Sequence, residues 1–357
     1  MPEVFLSLGA DDRQEALSVA ADKTGRPAYL LEKDVWVVWT LNALFDSPFG
    51  EHLVFKGGTS LSKCYDGLIQ RFSEDIDLTY DIRELIPDLT GRDEGQPLPK
   101  SRSQKDKWNA AVEKRLPAWI AETVIPHLER KIAELGQALA LRQEGDKVFV
   151  IYPQGHAGPG YVSPSVLLEF GARSTGKPAD YKSAMCDAAI ALPDLTFPKA
   201  VPQVMDARRT FWEKATAAHV FCLGNKFPPR FARHWYDLGR LGDAGIATTA
   251  IADRGLAEAV AEHKQCFFAS KDAQGDVISY ANAVGGHLHL VPEGDARKAL
   301  ESDYQAMIDG GLFDVPPPPF NELMDRCAVI QDLANAGSAA RVSERITEKY
   351  RIARPVQ

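Results

Sequence analysis

The chain has 357 residues, 45% hydrophobic and 25% charged, with a formal net charge of −8 at pH 7. That length suits two domains of ordinary size, and the composition is globular rather than disordered or fibrous. The acidic balance counts mildly against a general nucleic-acid binder, while leaving local cationic patches open.

No apolar run approaches the roughly 20 residues of a membrane helix. The start, Met1-Pro2-Glu3-Val4-Phe5, lacks the basic and apolar regions of a secretion signal. Cys64, Cys186, Cys222, Cys266 and Cys327 are dispersed with no CxxC, which reads as reduced thiols in a cytoplasm, not disulfides or zinc. There are no internal repeats.

Residues 11–46 read as helical, with Asp11 or Asp12 as the first cap and a break at Gly25-Arg26-Pro27. In the second helix Leu31, Val35, Val38 and Leu41 form a core stripe, and the charges beside them, Glu32-Lys33-Asp34, read as a solvated face. Leu53-Val54-Phe55 is apolar and β-prone, a buried strand. Gly57 and Gly58 then allow a tight turn and close approach to a ligand. Thr59 or Ser60 is placed to cap the helix that follows, whose free N–H groups suit a phosphate.

The next strand carries Asp75 and Asp77 at i and i+2, on one side, with Ile76 and Leu78 turned to the core. Two carboxylates this close repel unless a cation lies between them, and hard oxygen ligands suit Mg²⁺. A lone Gly-Gly is an ordinary turn and a lone Asp-x-Asp an ordinary solvated strand face. A phosphate cradle followed one helix later by paired carboxylates is the layout of a nucleotidyltransferase. It is not a P-loop, because no Gly-Lys-[Ser/Thr] closes a glycine-rich run.

Residues 84–107 read as a surface loop carrying Lys100, Arg102, Lys105 and Lys107. Residues 108–140 read as helical, with Trp108, Val112, Leu116, Trp119, Ile120, Val124 and Leu128 at core spacing and Pro117 and Pro126 as kinks or boundaries. Lys147–Tyr152 and Val166–Gly171 read as an antiparallel pair of strands around a Gly/Pro-rich turn. Glu169 interrupts the second apolar run, where a charge is costly unless paired or bound to a cation. Residues 172–205 read as loop-rich with a last short strand within Leu192–Val204. Beyond them the chain reads as largely helical, with a helix from Arg208 to about Leu223 and a polar cluster at Arg230–Leu238. Pro316–Pro319 reads as a stiff extended link, and 341–354 as a basic terminal tail.

Lys56-Gly57-Gly58-Thr59-Ser60-Leu61 followed by Arg71-Phe72-Ser73-x-Asp75-x-Asp77 resembles the AbiEii/AbiGii toxin family, which includes the MenT-type toxins. The likeness extends over about residues 28–335. It implies an α+β fold: a DNA polymerase β-like nucleotidyltransferase core with a mixed sheet at 1–205, and a helical domain at 206–357 that contributes active-site residues. It implies Glu169 as the third metal-binding carboxylate, on a strand beside that of Asp75 and Asp77. It also matches Glu213-Lys214 and Arg233-His234-Trp235-Tyr236-Asp237-Leu238 to the family's later motifs. Lys214 would then hold the triphosphate and Asp237 would order it. His234 stands where many members have Asp and is assigned no role.

The activity this implies is Mg²⁺-dependent transfer of a nucleoside monophosphate from an NTP, with two metals held by Asp75, Asp77 and Glu169. Gly57, Gly58 and Thr59 would cradle phosphate oxygens, Ser73 would bond the nucleotide, and Lys56, Arg71 and Lys214 would offset negative charge. The acceptor implied is the 3′ end of tRNA, so that translation is blocked, with a cognate antitoxin as a further partner. A protein or small-molecule acceptor is the alternative, as is a nucleotide-binding module without turnover, against which the intact aspartate pair argues.

Overall fold

The computed structural model describes residues 3–91, 95–156 and 163–336. The basic stretch at 341–354, part of the turn expected before Val166 and three positions of the loop expected at 84–107 lie outside the described residues. The chain divides into two units, Met1–Asp206 and Ala207–Gln357.

In the first unit, Gly9 and not an aspartate caps α1 (Ala10–Thr24), and Asp11 and Asp12 occupy its first turn. There they still oppose the positive end of the helix dipole. Gly25, with φ of 71°, ends the helix. Helix α2 (Ala28–Phe45) is buried on almost every side, including the expected stripe of Leu31, Val35, Val38 and Leu41. The solvated charged face expected at Lys33 and Asp34 is absent: both are buried. Each has an ion-pair partner that sequence spacing does not reveal, Glu74 for Lys33 and Lys63 for Asp34.

Strand β1 (Leu53–Lys56) runs into α3 (Gly57–Cys64), and β2 (Ile76–Tyr80) follows. The expected surface loop at 84–107 gives way to helix earlier than its composition suggests. Helix α4 (Arg102–Trp119), capped by Ser101, already contains Arg102, Lys105 and Lys107. Pro117 and Pro126 do not break the helical run. A π-turn at Ile120–Val124 lies between them and joins α4 to α5 (Ile125–Leu135). Widening the turn is one way a helix absorbs residues that cannot continue its ladder. Trp119 stacks on Tyr80, with ring centroids 4.0 Å apart, so it serves the core.

Gly136, with φ of 68°, stops α5 short of residue 140. Strand β3 (Ala140–Glu144), to which the sequence assigns no element beyond residue 140, follows at the sheet edge. Its polar alternation, ALRQE, gives little strand signal by itself. Strands β4 (Lys147–Ile151) and β5 (Ser165–Gly171) pair antiparallel, as expected. Strands β6 (Ala179–Tyr181) and β7 (Gln203–Met205) complete a seven-stranded sheet of order β3-β4-β5-β2-β1-β7-β6. The sheet is mixed: β5–β2 and β1–β7 are parallel, and the other four pairs antiparallel.

The second unit is helical, as expected. Its helices are α6 (Ala207–Leu223), α7 (Arg233–Asp243), α8 (Ile246–Ala252), α9 (Arg254–Phe267), α10 (Tyr280–Val284), α11 (Gly294–Asp309) and α12 (Phe320–Asn335). Buried indoles close its core with their N–H groups satisfied: Trp212 donates to the Ala250 carbonyl at 3.0 Å and Trp235 to that of Leu290 at 2.5 Å. Pro316–Pro319 is non-helical and leads into α12. Among the described residues no helix is long and apolar enough to cross a membrane. All five cysteines are free.

His219 in α6 is buried, and its Nδ1 accepts the His289 backbone N–H at 3.0 Å. Burial, aided by the His289 ring, pulls its pKa from 6.5 down to about 4. The unfolded chain therefore takes up a proton near pH 6.5 that the folded chain refuses until about pH 4. Stability is present above 6.5 and is lost as the pH falls through that window, by up to about 3 kcal/mol. His219→Asn keeps an acceptor without the titration. Urea denaturation at pH 7, 5.5 and 4.5 should show a shallower acid loss in His219→Asn than in the parent.

Candidate active site

The last residue of β1, Lys56, lies directly across from Asp77 in β2, and Asp77 lies directly across from Glu169 in β5. Glu169 in turn faces Lys147 in β4. Directly opposed residues of neighbouring strands project to the same face. The register therefore lines up Lys56, Asp77, Glu169 and Lys147 as one charged row across four strands. Asp75 lies just before β2, two residues from Asp77, and Ile76 and Leu78 are fully buried on the other side. Glu169 is thus in the interior of the sheet, on the strand next to Asp77, not at a solvent-facing edge.

The two glycines hold this row against α3. Gly57 has φ of 79°, a left-handed conformation that favours glycine. A Cβ there would collide with the Asp77 carboxylate. A Cβ on Gly58 would lie 2.6 Å from Arg71 Nη2 and 2.8 Å from Ser73 Oγ. The guanidinium of Arg71 is buried and donates to the Phe72 carbonyl at 3.0 Å.

The helix cap differs from expectation. Helix α3 starts at Gly57 with Lys56 as its N-cap and no side-chain cap, so Thr59 and Ser60 lie inside its first turn. The Thr59 hydroxyl turns inward instead. It bonds the Asp75 carbonyl at 2.6 Å and the Ser73 hydroxyl at 2.9 Å, fixing the backbone that carries the first aspartate. Ser60 donates to the Gly57 carbonyl at 2.9 Å.

The donor chemistry of Asp75, Asp77 and Glu169 fits a hard divalent cation. As the side chains stand, the Lys147 ammonium lies 2.5 Å from Glu169. Glu169 raises the pKa of Lys147, and Asp146 and Asp75 add to the pull. Among the described residues no three metal-ligating side chains converge on one point. The backbone register fits a cation between Asp77 and Glu169, and Lys147 holds the acid that would be its third ligand. Lys147 is a member of the row that sequence reasoning passed over, since only cross-strand register identifies it.

In the second unit, α6 presents Lys214 and α7 presents Asp237. Their side chains meet at 2.9 Å with 8% and 0% exposure, so both charges are out of water and depend on each other. Asp303 of α11 fixes the start of α7. Its carboxylate accepts the backbone N–H groups of Arg230 and Ala232 at 2.6 Å each. Glu213 pairs with Arg209 at 3.3 Å on the same helix. Burial, and after it the positive charge of Lys214, pushes His234 well below its usual pKa, which keeps it neutral.

No curated protein matches the chain. Among solved structures, the nucleotidyltransferase toxin MenT4 of Mycobacterium tuberculosis H37Rv is similar at 15% identity and a TM-score of 0.45, over 95% of this chain and 99% of that one. Residues 39–326, well over half the chain, match the family described as nucleotidyl transferase AbiEii toxin of type IV toxin–antitoxin systems. The chain belongs to the AbiEii family of nucleotidyltransferase toxins.

Proposed function

We propose that the protein transfers a nucleoside monophosphate from an NTP to the 3′ end of tRNA in a Mg²⁺-dependent reaction, releasing pyrophosphate and so blocking translation. The acceptor hydroxyl oxygen forms a bond to the α-phosphorus, and the bond from that phosphorus to pyrophosphate breaks. The observation that carries the reading is the pair Asp77 and Glu169, side by side in adjacent strands, with Lys56 and the Gly57-Gly58 turn immediately next to them. Asp75, Asp77 and Glu169 would hold Mg²⁺, Glu169 after releasing Lys147. Bound there, the cation would make the acceptor hydroxyl more acidic and stabilise the leaving pyrophosphate.

The remaining roles follow from the chain's own groups. Gly57 and Gly58 let phosphate oxygens approach the backbone, and Lys56 and Arg71 offset their charge. The Ser73 hydroxyl bonds the nucleotide, and Thr59 holds the Asp75 backbone in place. Lys214, kept charged and oriented by Asp237, serves the triphosphate. Family membership supports a cognate antitoxin as partner. The exposed cations Lys100, Arg102 and Lys107 support an anionic acceptor such as tRNA.

The deciding experiment incubates the protein with total RNA, Mg²⁺ and each of four labelled NTPs. Label should enter tRNA from a preferred NTP, and Asp77→Asn should lower it by about a hundredfold or more without lowering thermal stability, since removing a carboxylate relieves repulsion. NTP consumption without labelled RNA would redirect the search to a protein or small-molecule acceptor. No consumption at all would leave a nucleotide-binding module.

Gly58 has an ordinary backbone conformation, so Gly58→Ala tests contact alone. The added methyl should push Arg71 and Ser73 aside and raise KM for NTP about tenfold, with a smaller change in kcat. An unchanged KM would remove both residues from the nucleotide site.

Lys214→Ala removes a buried partner of the Asp237 charge and should lower stability by roughly 2–4 kcal/mol. At a temperature where the variant is still folded, KM for NTP should rise or kcat fall. Lys214→Arg should restore stability more fully than it restores turnover, because the two cations differ in shape and hydration. Parental kinetics in folded Lys214→Ala would confine the chemistry to residues before 207.

A further inference from the structure

The parallel pair β2–β5 lacks a device that sets register elsewhere in the sheet. Antiparallel neighbours joined by a short turn inherit register from the turn. Strands β2 and β5 are separated by the whole chain between Tyr80 and Ser165, so no turn aligns them. Hydrophobic alternation does only half the work. A one-residue slip would turn every side chain to the wrong face, whereas a two-residue slip would keep apolar residues inward. Ile76 would then face Val166 or Phe170 in place of Leu168, and all three are buried apolar residues. Such a slip would preserve the core and separate Asp77 from Glu169.

One buried side chain grips both strands just before they start. Lys33, 3% exposed in the second turn of α2, places its ammonium 2.5 Å from Glu74 and donates to the Ser163 carbonyl at 3.1 Å. Glu74 is two residues before β2, and Ser163 is two residues before β5. A buried charge is often replaceable by apolar packing without loss of stability, so stability alone does not account for one; specifying register is its best-attested use. We propose that Lys33 is a positioning residue that sets the β2–β5 register and thereby holds Asp77 beside Glu169. Lys33 touches no substrate in this role. The inference rests on the proposed carboxylate site for its catalytic consequence, but not for its structural one.

The test compares the full chain with Lys33→Met, Lys33→Arg and the double variant Lys33→Met/Glu74→Leu, which removes both charges at once. Hydrogen exchange reads the clamp directly. In Lys33→Met, amides of 76–80 and 165–171 should exchange about tenfold faster or more, with those of 207–223 unchanged. Kinetics read its consequence. With the carboxylates misaligned, kcat should fall about tenfold or more while KM for NTP stays within about threefold, and Lys33→Arg should recover much of the loss. The double variant should regain melting temperature but not kcat.

Recovery of kcat together with melting temperature in the double variant would reduce Lys33 to a stability residue and overturn the proposal. So would a kcat within about twofold of the parent in folded Lys33→Met. Should Lys33→Met not fold, Lys33→Arg and the double variant make the same separation. Should the parent transfer no nucleotide, the proposed function fails while exchange still decides the clamp: unchanged protection in both strands overturns it, and local loss supports it.

Discussion

The first unit depends on two adjacent buried charges near the start of one helix, α2. Lys33 reaches Glu74 and the Ser163 carbonyl, at the leading ends of β2 and β5. Asp34 pairs with Lys63, the next-to-last residue of α3, and accepts the Asp187 backbone N–H at 2.7 Å. Lys63 also meets Asp187 at 2.5 Å, and Arg26 pairs with that aspartate from the chain just before α2. Neighbouring residues on α2 thus hold, separately, the helix that opens with Gly57-Gly58 and the strand that follows Asp75. Charges removed from water need such partners, because an ion left alone there costs several kcal/mol. The network ties the glycine turn and the carboxylates to a single rigid element.

The second unit solves a related problem with helices. Lys214 and Asp237 come from α6 and α7, and each is buried against the other. Around them the unit leaves few backbone or indole donors to chance. Asp303 takes two N–H groups before α7, and Gln331 of α12 accepts from Leu290 at 2.7 Å. A lysine in that setting has little rotamer freedom, which suits a group whose value lies in where its charge stands.

Much of this was legible in sequence because it is local. Strand, double glycine, helix and alternating aspartates are all encoded within residues 53–80, and Glu169 is conspicuous as a charge in an apolar run. Lys214 and Asp237 stand out only through the resemblance to the family's later motifs, and the structure pairs them with each other. What sequence could not supply is long-range pairing. Lys33 and Asp34 look like a solvated face because helical periodicity says nothing about a glutamate forty residues on. Lys147 looks like the start of a strand until register sets it opposite Glu169. Thr59 looks like a cap because residue type cannot tell whether the helix starts at Gly57 or two residues later. Strand β3 carries little strand signal because an edge strand facing water needs no apolar alternation.

The charged row has a consequence for how a nucleotide would reach the proposed site. The row sets two positive charges, Lys56 and Lys147, against two negative ones, Asp77 and Glu169, on a chain whose formal charge is −8. A polyanionic nucleotide approaching an acidic protein is repelled at long range, and salt weakens that repulsion. A strip whose own charges cancel adds almost nothing to the far field. Encounter is then governed by the rest of the surface, and attraction begins only at contact, where individual cations and acids are resolved. Recognition at the proposed site would therefore be short-sighted by construction: it would select by fit once the nucleotide had arrived, and do little to draw it in.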